Sequence, residues 1–123
     1  MDRPSHKEIY RKIKQAKEAV LENRLSFIDA VSIAADALEL GYMVSEISNI
    51  LVDLLAEITP KEYVGQSPPQ RSYEENILQW ELFPFRWISK RLGCMVYMKF
   101  ALKDKQLWLV SLHEDRRKEG GEK

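Results

Sequence analysis

Apolar residues recur every three to four positions along the first half of the chain and every second position along much of the last third, so helices precede strands. From Ile9, the residues Ile9, Ile13, Ala16, Val20 and Leu21 fall on one helical face. Lys7, Glu8, Arg11, Lys12, Lys14, Lys17 and Glu18 fill the other, and Glu22-Asn23-Arg24 ends the helix. Ser26 has the character of an N-cap, with Asp29 placed to complete a capping box. The helix it opens is expected to bury Phe27, Ala30, Val31, Ala34, Ala37 and Leu38 and to stop at Gly41. Ser45 caps a third helix with the stripe Ile47, Ile50, Leu51, Leu54, Leu55 and Ile58, and Thr59-Pro60 closes it.

Residues 59–76 are poor in apolar side chains and hold three of the five prolines. A connection this long in a compact domain is often functional, covering a groove or receiving a partner, and otherwise is only a connector. From Ile77 the pattern turns to strand. Trp80, Leu82, Phe83, Phe85 and Trp87 form a dense aromatic run in which Pro84 requires an edge or a bulge. After a turn at Lys90-Arg91, a second strand runs from about Leu92 to Leu102, where Val96, Met98, Phe100 and Leu102 alternate with Tyr97, Lys99 and Ala101. A third runs from Gln106 to His113, and 114–123 reads as a frayed tail. The expectation is one α+β domain over residues 1–123, with N-terminal helices packed on a small antiparallel sheet formed by the C-terminal half.

Strand spacing puts Tyr97 and Lys99 on one face, about 7 Å apart. Whether His113 joins them depends on the hairpin turn. A two-residue turn at Asp104-Lys105 pairs Leu102 with Leu107 and carries His113 to the helix-packed side. A three-residue loop, Lys103-Asp104-Lys105, pairs Leu102 with Gln106 and sets Tyr97 opposite Ser111, with His113 on their face. The second is preferred because it keeps His113 out of the core, although pattern alone does not exclude a one-residue slip.

Composition adds little, but charge distribution adds much. The 123 residues carry zero formal net charge. Residues 1–85 hold 9 Lys/Arg against 14 Asp/Glu, whereas 86–118 hold 9 against 3, so one end is electropositive and suited to a polyanion. The plain alternative is a solvated sheet edge guarded against aggregation. A single cysteine, Cys94, excludes an internal disulfide. With no apolar run long enough to span a bilayer and no apolar segment at the N-terminus, a cytoplasmic protein is expected. No metal-ligand spacing, glycine-rich phosphate loop or Gly-x-Ser-x-Gly elbow occurs, and no cofactor is expected.

Cleaving RNA without a metal needs a base for the 2′-hydroxyl, an acid for the leaving 5′-oxygen and a cation for the charged phosphorane. Tyr97, Lys99 and His113 are the candidate catalytic residues, with Arg86, Lys90, Arg91 and Arg116 as phosphate contacts and Arg117 close by. The structural alternative is that Tyr97 and Lys99 are cross-strand packers and His113 a strand-end residue.

The chain resembles the motility quorum-sensing regulator (MqsR) family of toxins from bacterial type II toxin–antitoxin systems, with a RelE-like mRNA interferase fold. The residues that carry the resemblance are the first helix, Ala37-Leu38-Glu39-Leu40-Gly41, Lys61-Glu62-Tyr63, Val96-Tyr97-Met98-Lys99-Phe100 and Leu109-Val110-Ser111-Leu112-His113, within residues 8 to 114. It implies a small α+β ribonuclease that cuts mRNA and is neutralised by a co-encoded antitoxin, with Tyr97 at a catalytic tyrosine and His113 at a position held by lysine or histidine. Two positions depart from that pattern: Gly65 stands where some members have lysine, and Glu81 follows Trp80 where some have glutamine. Two other functions fit the same residues. One is a non-catalytic module holding RNA or a protein on the basic hairpin. The other is an accessory subunit using Trp80–Trp87 as an interface.

Overall fold

The structure, a computed structural model, describes residues 6–65 and 79–115. Three helices, α1 (His6–Leu21), α2 (Ala30–Leu40) and α3 (Ile47–Glu57), pack on one face of a four-stranded sheet made of β1 (Leu25–Phe27), β2 (Phe83–Ser89), β3 (Cys94–Lys103) and β4 (Gln106–Glu114). The spatial order is β1-β4-β3-β2. The α+β class is as expected, and β1 extends the antiparallel sheet by one parallel strand, pairing Leu25 with Leu107 and Phe27 with Leu109. Three residues are too few to show an alternating pattern, so the strand left no periodic trace in the sequence.

The stripes of α1 and α3 are where periodicity put them: Ile9, Ile13, Ala16 and Val20, and Ile47 to Ile58, are buried. Leu21 is the exception and is 67% exposed, because it lies about 100° round the helix from the buried Val20, off the stripe. The second helix differs more. Ser26 lies in β1, and Asp29 is the actual N-cap, accepting from the Ser32 amide at 3.1 Å. That hydrogen bond holds the Asp29 carboxyl below the usual carboxylate range. Ile33 and Ala37 are buried while Val31 and Leu38 face solvent. This helix is mostly apolar, so periodicity admits two stripes, and its short connection from β1, which pairs with β4, together with its packing on β4 selects one. Gly41 ends it as expected, in the left-handed conformation at φ 95°. Ser45 falls inside a single 3-10 turn, Val44–Glu46, rather than capping α3. Thr59 and Glu62 form a reciprocal capping box around a second such turn, Pro60–Glu62.

Phe83, Phe85 and Trp87 of β2, Val96, Met98 and Phe100 of β3, and Leu107, Leu109 and Leu112 of β4 face the helices. Phe85 and Phe100 stack with centroids 5.7 Å apart at the centre of this layer. Ile77, the expected start of the first long strand, lies outside the described residues, as do 66–76 of the proline-rich connection and the tail from Arg116.

Candidate functional site

The side chains of interest stand on the sheet face opposite the helices. Strand pairing lines them up in rows: Arg86, Tyr97 and His113 across β2, β3 and β4, and beside it Pro84, Lys99 and Ser111. Adjacent rows on one face are separated by about 7 Å along the strands.

The hairpin reaches this arrangement by a route that differs from the expected one. The turn has two residues, with Asp104 at φ 55° and Lys105 at φ 64°, and Leu102 pairs with Leu107. Positive φ at both positions is the type I′ geometry that fits strand twist. A regular ladder from that turn sets His113 opposite Val96 on the core side. Instead the register shifts between Lys99 and Phe100: Phe100 pairs with Leu109 and Lys99 with Ser111, leaving Val110 as the extra residue of a β-bulge. Beyond it, Tyr97 faces His113, and Ser111 faces Lys99 rather than Tyr97. The three-residue loop was the wrong turn, but the face it assigned to His113 is the right one.

Tyr97 and His113 are both half-buried, and their ring centroids are 5.4 Å apart at an interplanar angle of 31°. Nδ1 of His113 lies 3.0 Å from the Glu114 carbonyl oxygen. A carbonyl only accepts, so Nδ1 carries hydrogen and Nε2 is the nitrogen left to exchange a proton. Arg86 is ion-paired: its Nε is 2.5 Å from Asp115 Oδ2, although no aligned hydrogen bond from Nε is formed. The Asp115 side chain is only 10% exposed, and its amide donates to the Met95 carbonyl at 2.9 Å, so the acid is held in place by the ladder just past β4. Asp115 was not legible as part of the site, because it sits inside a strongly basic stretch.

The other candidate cations are placed differently. Arg91 is tied to α3, with Nε donating to Asp53 at 2.9 Å and its amide to Glu57 at 2.8 Å. Glu57 also accepts from the Trp87 indole at 2.8 Å, so Arg91 belongs to the helix side of the sheet, away from Tyr97 and His113. Lys90 is exposed in the β2–β3 turn. Arg116 lies outside the described residues. Four of the expected residues, Arg86, Tyr97, Lys99 and His113, therefore share one patch. Cys94 is not an activated nucleophile: partial burial, and then the nearby Glu114, push its thiol up. Among the described residues, no three His, Cys, Asp or Glu side chains gather as a metal site, and no helix is long and apolar enough to cross a membrane.

No protein-family model and no curated protein matches the chain.

Proposed function

We propose that this chain is a cytoplasmic endoribonuclease acting on mRNA without a metal, a toxin of the MqsR kind held in check by a cognate antitoxin. The observation that carries the proposal is the juxtaposition of Tyr97 and His113 at 5.4 Å, flanked by Arg86 and Lys99 on the sheet face away from the helices. His113 serves one of the two apical oxygens, taking the 2′-hydroxyl proton as base or protonating the 5′-oxygen as acid, and solvent serves the other. The 2′-oxygen attacks phosphorus, the P–O5′ bond breaks, and the products are a 2′,3′-cyclic phosphate and a 5′-hydroxyl. Tyr97 hydrogen-bonds the phosphoryl group, and Lys99 with Arg86 offsets the charge that builds on it.

The test is tightly controlled expression in a bacterium, wild type beside His113→Gln, with total RNA examined for new 5′-hydroxyl ends. Arrest and cleavage that disappear in the variant support the proposal. Normal growth with intact RNA from soluble, folded wild-type protein refutes it. The non-catalytic binding module is favoured by one observation, the Arg86–Asp115 ion pair, which already neutralises one of the cations flanking Tyr97. Its mark is binding that weakens steeply with salt and yields no cut product.

A further inference from the structure

The open face of the sheet carries a second aromatic pair. Ala101, two rows from Tyr97 along β3, pairs with Trp108 on β4, and Trp108 meets Trp80 edge-on with centroids 5.3 Å apart. Ala101 is fully buried beneath them. Between the two aromatic pairs lies the Lys99–Ser111 row, and beyond the second stands Lys103, whose Nζ is 5.9 Å from the Trp80 centroid. The face therefore alternates aromatic, cationic, aromatic, cationic, with about 13 Å between its two aromatic pairs. Trp80 also borders a cleft of ≈ 230 Å³ that Lys12, Glu81 and Lys103 line. Lys12 and Lys103 continue into a neighbouring cleft of ≈ 550 Å³ that holds Arg24 and Lys105 as well as Glu18, Glu22 and Asp104.

We infer that Trp80 is a base-stacking subsite for single-stranded RNA, two or three nucleotides from the phosphodiester at Tyr97–His113. The inference rests on the ribonuclease reading only for the class of ligand. Four-stranded sheets with aromatics on the open face bind single strands this way, stacking two or three bases while cations follow the backbone. Charge complementarity selects the occupant: Lys103 lies over the Trp80 ring, Lys12 lines the same cleft with its Nζ over Phe83, and Lys99 lies on the path between the two aromatic pairs. Glu81, the carboxylate of the cleft, repels a phosphate but accepts a hydrogen bond from an exocyclic amino group of a base. That assigns Trp80 to stacking and Glu81 to the edge of the same base, with the phosphates on the lysines. Glu81 then marks a preference for adenine, cytosine or guanine over uracil.

The probe is a 5′-labelled hexanucleotide with 2′-O-methyl riboses throughout, which lacks the attacking hydroxyl and stays intact. Its binding is measured by fluorescence anisotropy, with a single abasic residue walked through the sequence. In the wild type, one abasic position away from the centre weakens binding by about tenfold. Trp80→Leu weakens binding of the intact oligonucleotide by a similar factor and abolishes the further penalty at that position, since both changes remove one contact. Lys103→Gln, on an exposed side chain, lowers the slope of log affinity against log salt by about one and carries the test if Trp80→Leu does not fold. Penalties that add independently, or an oligonucleotide that does not bind or binds with no such position, overturn the inference. A Trp80-coupled position in a protein that cuts no RNA leaves the subsite standing and removes the nuclease. Cleavage with no coupling does the reverse.

Discussion

Tyr97 lies directly opposite His113 because Val110 is one residue more than the β3–β4 ladder needs. If Val110 is deleted, Ser111 follows Leu109 and the pairs Lys99–Ser111 and Tyr97–His113 persist in a regular ladder. That variant is expected to fold, losing about 1 kcal/mol for a half-buried valine, and to retain nuclear Overhauser contacts between the two rings. An alanine inserted between Ser111 and Leu112 has the opposite effect. It turns Leu112 to the open face and His113 to the core, and should lower stability by about 2 kcal/mol or more while erasing the ring contact.

With the rings in contact, their substitutions should not add. His113→Gln is expected to slow cleavage by about 10² to 10⁴, the range of a lost general acid or base. Tyr97→Phe should slow it less, and the double variant should fall short of the product of the two. Single-turnover cleavage of a short RNA checks this, and thermal melts within a few degrees of wild type show that the half-buried pair is not a folding element.

How far these arrangements were visible beforehand depends on how many competing patterns each segment allowed. Ile47 to Ile58 offers one apolar stripe, and that stripe is buried. α2 offers two, and only its attachment through β1 distinguishes Ile33 from Val31. The alternation Val96, Met98, Phe100 settled which face of β3 is wet, so Tyr97 and Lys99 were placed correctly. The bulge was not visible, since an extra residue in an apolar strand looks the same as a longer turn. The sequence distance from Asp53 and Glu57 to Arg91 hid the contacts that draw that arginine toward α3.

Asp115 restrains Arg86, so Asp115→Asn should act in two directions at once. Removing a carboxylate 2.5 Å from the guanidinium strengthens attraction for RNA, and affinity should rise several-fold at low salt with a steeper salt dependence. Stability should fall by about 1 to 3 kcal/mol, because the guanidinium is largely buried and loses its charged partner. Salt-titrated binding and urea denaturation measure the two effects separately.

Gly65 is enclosed by its neighbours. A Cβ there would lie 2.5 Å from the Tyr63 hydroxyl oxygen and 2.8 Å from Pro84 Cδ, closer than atoms pack. Tyr63 meets Phe85 edge-on at 5.7 Å and bridges to it along the strand, so displacing the tyrosine disturbs the edge of β2. Gly65→Ala is expected to destabilise the protein by about 1 to 3 kcal/mol in urea denaturation. Lysine should be no better tolerated than alanine on this backbone.

Tyr42 follows Gly41 into the core and is 6% exposed, with its hydroxyl lacking a hydrogen-bond partner among the described residues. Burial, with the negative charge of Asp36 adding to it, pushes the phenol from 10.0 up to about 12. The folded protein therefore holds this proton more tightly than the unfolded chain does. Its contribution to stability is intact below pH 10 and is lost as pH rises through about 12. Tyr42→Phe removes both the unsatisfied hydroxyl and the titration. At pH 7 it should leave stability unchanged or raise it by about 1 kcal/mol. Between pH 10 and 12 the gap between variant and wild type should widen in favour of phenylalanine, which thermal melts across that range would measure directly. A gap that stays constant with pH would mean that Tyr42 ionises as readily in the folded protein as in the unfolded chain.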